Sequence, residues 1–166
     1  MENTTLFNEE AKEKIKTLAE SIDFAMMATS LDSKPFHATP MSTKKVDSNG
    51  HIWFLSGKDS NHNADIKNDS KVMLIYSKPS DMSFLKIYGD AVLIDDKAVF
   101  DELYGKTDDM WFDGKDDPNL SAIQFKPLEA YYWEPKSNKF VTILKMGVSA
   151  ITGNQPDISD SGKIIL

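Results

Sequence analysis

The chain has 166 residues and a formal net charge of −7, and a single domain of this length buries roughly 70% of its unfolded surface. The acidic balance makes nucleic acid an unfavourable partner, and no apolar run approaches the ~18 residues of a membrane-spanning helix. Cysteine is absent and the N-terminus is too polar for a secretory signal, so we expect a cytoplasmic protein without disulfides.

The chain contains no arginine, and its 19 strongly basic residues are all lysines. Any phosphate group must therefore be bound without the bidentate guanidinium fork. Backbone N–H groups, hydroxyls, amides, lysine and histidine remain available for such a site.

The first periodic segment predicts an amphipathic surface helix over residues 7–22. Apolar residues recur at helical spacing on one face, and lysine and glutamate occupy the opposite face. The apolar residues are Ala11, Ile15, Leu18, Ala19 and Ile22.

Three strand-like runs follow, over residues 24–31, 35–46 and 51–56. A turn at 32–34 ends the first run, and Asn-Gly within the tetrapeptide 47–50 predicts a hairpin between the other two. Ser60 is a good N-cap for a helix that runs to about Asn68.

This meander and the helix start predict an anion site. The first N–H groups of a helix have no partner within it, and the helix dipole favours negative charge at the same end. The candidate residues are Ser56, Ser60, Asn61, His62 and Asn63. The alternative is a plain turn followed by an N-cap, since Ser and Asn favour such positions.

The middle of the chain continues the β pattern. Residues 71–77 predict a buried strand, and residues 82–94 predict a long strand with Gly89 at a bulge or barrel bend. Asp95-Asp96 then predicts the cap of a second short helix, which extends through Tyr104.

The last third combines a loop with further strands. Residues 105–118 are rich in Asp and Gly, and they include Met110-Trp111-Phe112. Residues 120–134 and 139–145 predict two strands around a turn at 135–138, and the chain after Gly147 is polar except at its end.

Six or seven strands in sequential hairpins with small helices predict a mainly β fold, a closed or split antiparallel barrel. We expect the barrel, with its N-terminal helix, to occupy residues 1–150. Residues 151–166 are then a polar C-terminal tail.

An ordered set of segments resembles the general-stress-protein branch of the pyridoxamine-phosphate-oxidase-like flavoproteins, over roughly residues 7–150. Each segment alone is a weak signal, but the ordered set is fairly specific. The segments are PFHATPM at 35–41, GHIWFLS at 50–56, DS at 59–60, FLKIYGDAVLIDD at 84–96, MWFDGKDDPNL at 110–120 and PLEAYYWEP at 127–135.

The resemblance implies a homodimeric split barrel that binds FMN in two clefts between protomers. Carried over by position, the phosphate and ribityl contacts come from three places in the chain. They are Thr39, Met41 and Lys44 on the second strand, Leu55 and Ser56 at the end of the third, and Ser60, Asn61 and His62 at the helix start. The resemblance also implies that Trp111 and Trp133 of the partner protomer lie near the flavin ring.

The chain departs from the family pattern at three positions. The family usually has arginine at the place of Thr39, often lysine at His62, and commonly a basic residue near Thr142. Each lost charge-assisted bond is worth ~1.5–3 kcal/mol, which predicts FMN binding weaker by tens- to hundreds-fold per site. Lys44, Lys58 or His62 is expected to compensate in part.

Three other features have simpler interpretations than a site. His37, His51 and His62 lack the spacing of metal ligands, so we expect no metal. The acidic segment 113–117 lacks the alternating ligands of a calcium loop, which favours a solvated turn. Trp111 is interpreted as a lid or partner contact over a flavin, with a hydrophobic staple beneath the loop as the alternative.

The predicted function is therefore that of an FMN-binding redox protein with an unknown small-molecule substrate and a stress-related role. No side chain stands in a sequence pattern typical of a nucleophile or proton donor. Two alternatives remain open: a non-enzymatic protein that binds or senses flavin, haem or a deazaflavin, and a barrel that has lost its flavin.

Overall fold

The computed structural model describes residues 3–135 and 159–165, in which nine strands form one sheet. The strands are β1 (Asn3–Phe7), β2 (Phe24–Thr29), β3 (His37–Ser42), β4 (Lys45–Val46), β5 (Ile52–Gly57), β6 (Lys71–Lys78), β7 (Ser83–Ile94), β8 (Leu120–Pro135) and β9 (Ser159–Ile165). The helices are α1 (Asn8–Ile22), α2 (Asn61–Asn68) and α3 (Lys97–Leu103), and short 3-10 turns occur at Pro79–Asp81 and Lys106–Met110.

The sheet runs in the order β1-β9-β8-β7-β6-β2-β3, and β5 pairs with both β8 and β4. Only the β1–β9 pairing is parallel among the described strands; the others are antiparallel.

The long strand β8 pairs with three other strands. It pairs with β7 from Ala122 to Trp133. On its other edge, Leu120–Phe125 pair with β5, and Glu129–Pro135 pair with β9. One strand therefore divides between two neighbours, which is how the barrel opens along one side.

The segment 37–46 closes the barrel by changing partners. The predicted single strand over 35–46 is wrong, because the chain bends between β3, which pairs with β2, and β4, which pairs with β5. Thr43 fixes the bend: its N–H donates to the Asp23 carbonyl at 2.9 Å, and its hydroxyl lies 2.8 Å from that of Tyr76. Burial raises the pKa of the Tyr76 hydroxyl, so this hydrogen bond joins two neutral groups.

The barrel interior and α1 share one core. Ala11, Ile15 and Ala19 of α1 are fully buried, and Leu18 is nearly so, which confirms the apolar face predicted from sequence. A second, smaller cluster lies beneath α3. It consists of Leu55, Phe100, Leu103, Leu120 and Ala122.

The predicted split antiparallel barrel is confirmed, and so are the predicted helices and the hairpin at 47–50. Two strands were not predicted: β1 at the sheet edge, and β9 between β1 and β8. The predicted strand over 139–145, the turn at 135–138 beyond Pro135, and Thr142 lie outside the described residues.

The predicted bulge at Gly89 is confirmed. Tyr88 pairs with Glu129 but Gly89 pairs with Pro127, so Leu128 is an extra residue on β8. A Cβ at Gly89 would lie 2.2 Å from the Lys126 carbonyl oxygen, a contact with backbone that no rotamer relieves. Glycine is therefore required for the close approach of β7 and β8 at this bend.

Gly89→Ala should destabilise the fold by about 3 kcal/mol, because the added methyl forces the β7 and β8 backbones apart. Urea denaturation followed by tryptophan fluorescence measures the change. Gly105→Ala is the matched control: its Cβ would meet its nearest atom at 3.7 Å, an ordinary contact, so a change within about 0.5 kcal/mol is expected. Equal losses in the two variants would contradict the account of Gly89.

Candidate functional site

A closed polar network lies where β5 ends, β8 begins and α2 packs on both. The Ser56 hydroxyl donates to the Asn63 Oδ1 at 2.9 Å, the Asn63 Nδ2 donates to the Ser121 Oγ at 2.9 Å, and the Ser121 hydroxyl donates to the Ser56 carbonyl at 3.0 Å. All three side chains are buried, at 1–3% exposure. A buried polar group is costly without a partner, so this network fixes the position of α2 relative to the two strands.

Ser60 caps α2, as predicted. Its Oγ accepts a hydrogen bond from the Asn63 N–H at 3.2 Å, and its carbonyl accepts one from the Ala64 N–H at 3.1 Å. The backbone N–H groups of Asn61 and His62 remain without an acceptor among residues 3–135 and 159–165. These two groups and the helix dipole make the start of α2 suitable for an anion.

The imidazole of His62 is half-buried. Its Nε2 is buried and has no hydrogen-bond partner within the described part of the chain. Burial lowers the pKa of the imidazole, against the nearby Asp65 carboxylate, which raises it. A neutral imidazole keeps one N–H donor and one acceptor nitrogen.

A second polar group joins α2 to the barrel one turn further along the helix. The Asp65 Oδ2 lies 2.7 Å from the His37 Nδ1 and accepts a hydrogen bond from the Thr29 hydroxyl, also at 2.7 Å. Burial alone would raise the pKa of the Asp65 carboxyl. The hydrogen bonds from Thr29 and His37, with the charges of His37 and His62, outweigh it and hold that pKa below its usual value.

The predicted residues of β3 lie beside this pair. His37, Thr39 and Met41 alternate along the strand and so lie on one face of it. Thr39 is partly exposed, whereas Met41 is 8% exposed and belongs to the core.

The two lysines expected to compensate for the missing arginine have carboxylate partners. The Lys44 Nζ lies 2.6 Å from the Asp108 Oδ2, in a pair whose side chains are only 15% and 13% exposed. The Lys58 Nζ lies 2.8 Å from the Asp95 Oδ2. Leu55, the remaining predicted residue of β5, packs in the cluster beneath α3.

Trp133 lies apart from the start of α2 within one chain. Trp133 pairs with Phe84 near the far end of β8, about 40 Å along that strand from Ser121. Trp111 is 79% exposed, so the alternative in which it is a staple beneath the loop is wrong. Phe112 instead packs against the cluster beneath α3.

Sequence reasoning missed Ser121 and Asp65, and it considered His37 only as a metal ligand. The sequence gives only a weak sign that Ser121 is part of a site: it is a serine among apolar residues at the start of β8. Asp65 carries none, because its partners are 28 and 36 residues away. Among the residues that the structure describes, no group of three His, Asp or Glu side chains is arranged to hold a metal ion.

Comparison with known proteins gives both the fold class and the family. The general stress FMN/FAD binding protein from Xanthomonas citri is 27% identical, with a TM-score of 0.66 over 79% of this chain and 93% of that one. General Stress Protein 26 from Bacillus anthracis is 22% identical, with a TM-score of 0.65 over 73% and 92% of the two chains. A candidate general stress protein 26 from Jannaschia sp. CCS1 is 17% identical, with a TM-score of 0.78 over 96% of this chain and all of that one.

The fold is therefore the split barrel of these proteins. The family model described as pyridoxamine 5'-phosphate oxidase like matches residues 10–157, and the chain belongs to that family. No curated protein matches the chain. Within the described residues, every helix is too short or too polar to cross a membrane.

Asn63→Ala should cost about 2 kcal/mol of stability, because it removes two buried hydrogen bonds, from the Ser56 hydroxyl and to the Ser121 Oγ, and leaves only the Ser121 Oγ, 2.8 Å away, as an acceptor for Ser56. Chemical denaturation measures this loss. Asn61→Ala, an exposed change on the same helix, should stay within about 0.5 kcal/mol of the parent. If both variants lost equally little, the network would not fix α2.

Proposed function

We propose that the protein binds FMN non-covalently in a cleft between two copies of the chain, as a redox protein with a small-molecule substrate and a stress-related role. The observation that carries the proposal is the start of α2. Two backbone N–H groups, of Asn61 and His62, and the buried Nε2 of His62 lack acceptors among the described residues. A terminal phosphate offers several acceptor oxygens to such a set.

The residues at this position fit an FMN phosphate in chemistry and in rigidity. Asn61, His62 and the Ser60 hydroxyl would bind it, and the family resemblance adds Thr39 of β3. Ser56, Asn63 and Ser121 would hold the helix start in place without touching the ligand. When bound, the isoalloxazine supplies two-electron redox chemistry, and the protein supplies position and electrostatics.

Family membership and one relative support the choice of ligand. The chain belongs to the pyridoxamine 5'-phosphate oxidase like family, and the Xanthomonas citri protein that is 27% identical is described as FMN/FAD binding. The start of α2 suits a single terminal phosphate monoester, which FMN has and riboflavin lacks.

An exposed apolar face of the barrel supports the proposed dimer. Met26 and Ile75 are cross-strand partners on its outer surface, and so are Phe84 and Trp133. Each of these side chains is 36–43% exposed, and Phe24 at the edge of the same face is 60% exposed. Exposed apolar surface of this kind favours association. A partner copy would also offer a surface against which the exposed Trp111 could pack.

A barrel without flavin is the second candidate, and the ion pairs of Lys44 and Lys58 favour it. Ammonium groups already paired with Asp108 and Asp95 leave less positive charge for a phosphate dianion. Of the two candidates, only FMN binding supplies an acceptor to the backbone N–H groups of Asn61 and His62, which lack one among the described residues.

FMN should bind at least about tenfold more tightly than riboflavin, because only FMN brings a phosphate to the start of α2. Fluorescence titration with FMN, FAD and riboflavin measures the three affinities. Equal affinity for FMN and riboflavin would mean that the start of α2 is only a capped turn, and no binding of any flavin would leave the second candidate. Anaerobic mixing of the loaded protein with NADH or NADPH then separates an enzyme from a carrier.

Light scattering should report about twice the 18.6 kDa chain mass at micromolar concentration. Ile75→Lys should shift the population towards monomer, because it places a charge in the exposed apolar face. Val92→Lys is the matched control, since Val92 is 38% exposed but lies at the opposite end of β7 from Phe84. A parent protein that is monomeric would contradict the cleft between copies.

A further inference from the structure

Met110 and Trp111 form an exposed apolar turn between α3 and β8. Of the large apolar side chains in the described residues, these two are the most exposed, at 79% each. The next residue, Phe112, instead packs against the cluster beneath α3. Tryptophan and methionine are enriched at the centres of protein interfaces, where burial of such side chains supplies much of the binding free energy.

The backbone of the Met110–Trp111 turn is held rigidly from below, chiefly by Asp108. The Asp108 Oδ2 lies 2.6 Å from the Lys44 Nζ and accepts a hydrogen bond from the Gly105 N–H at 2.7 Å. The Asp108 carbonyl accepts hydrogen bonds from the N–H groups of Trp111 and Phe112, at 2.9 and 3.0 Å. A turn that is ordered before it meets a partner loses little conformational entropy on binding, which favours association.

The exposed apolar face of the barrel carries positive charge. Ile75 pairs with Lys86 on β7, and Lys86 pairs with Tyr131 on β8, so the three side chains lie in one row on the same face. The Lys86 Nζ lies 4.8 Å from the centre of the Tyr131 ring and has no carboxylate partner in the part of the chain that the structure describes. This face therefore combines apolar side chains with an uncompensated ammonium group.

The Met110–Trp111 turn has the opposite charge around it. Residues 105–117 contain five aspartates and two lysines. Asp109 and Asp113 flank the turn on either side and are exposed, and neither carboxylate has an ion-pair partner within residues 3–135 and 159–165. The turn and the barrel face are therefore complementary in charge and are both apolar at the centre.

Resting on the dimer of the proposed function, we propose that the Met110–Trp111 turn of each copy docks on the exposed apolar face of the other, beside Lys86. One such turn covers much less than the ~800 Å² per partner of a standard interface. A twofold dimer makes the contact twice, because each copy presents both the turn and the face. Lys44 and Asp108 are then positioning residues, which hold the turn in its docking conformation.

Site-directed cross-linking tests the contact, and the absence of cysteine from the chain makes it specific. Met110→Cys protein is mixed with Ile75→Cys protein and treated with a short bis-maleimide, which tolerates a range of spacings. The expected product is a covalent heterodimer, identified by mass. Met110→Cys mixed with Val92→Cys is the matched control, which should give no such product, because Val92 is 38% exposed but lies at the opposite end of β7 from Phe84.

Dimer dissociation constants from analytical ultracentrifugation test the energetics. Trp111→Ala should raise the dissociation constant about thirtyfold, as expected for a buried interface tryptophan, and Val92→Ala should change it by less than about threefold. Asp108→Asn keeps an acceptor for the Gly105 N–H but removes the charge that holds Lys44, so it should weaken the dimer several-fold. Added to Trp111→Ala, it should have no further effect, because the ion pair acts through the turn.

The outcomes separate this inference from the proposed function. A parent dimer that gives no heterodimeric cross-link would overturn the docking of the turn and leave the proposed function intact. A dimer of unchanged affinity in Trp111→Ala would do the same. Additive losses in the Trp111→Ala/Asp108→Asn double variant would overturn the positioning role of the ion pair. A monomeric parent protein would overturn the cleft between copies itself.

Discussion

The buried network of Ser56, Asn63 and Ser121 is the constraint on which the candidate site depends. Three polar side chains from β5, α2 and β8 lie at 1–3% exposure, and each satisfies the next. A network of this kind is stable only when complete, because any unpaired member would pay the full cost of desolvation. It therefore permits one position of α2 on the barrel, and that position sets where the N–H groups of the helix start are directed.

The same placement explains how a chain without arginine can offer an anion site. With α2 fixed, its first turn carries the N–H groups of Asn61 and His62, which have no acceptor within residues 3–135 and 159–165, and its second turn brings Asp65 against β3. The carboxylate of Asp65 ties α2 to β3 through His37 and to β2 through Thr29.

Local chemistry made much of the fold predictable. The Ser60 cap, the Asn-Gly hairpin and the Gly89 bulge each follow from one or two residues whose conformational preferences are strong. The strands β1 and β9 carry no comparable pattern, because they are held by backbone pairing with each other and, for β9, with β8. The break at Thr43 and the pairing of Asp65 with His37 depend on contacts distant in sequence, which periodicity does not report.

A crystal structure of the protein with FMN tests the central claim most directly, because the position of the phosphate is read from it. The account predicts phosphate oxygens within about 3 Å of the backbone nitrogens of Asn61 and His62, on the β3 side of α2. The opposite side of the helix holds a cavity of about 160 Å³, lined in part by Lys58, Lys67 and Ser121. A phosphate bound in that cavity, away from β3 and His37, would contradict the account.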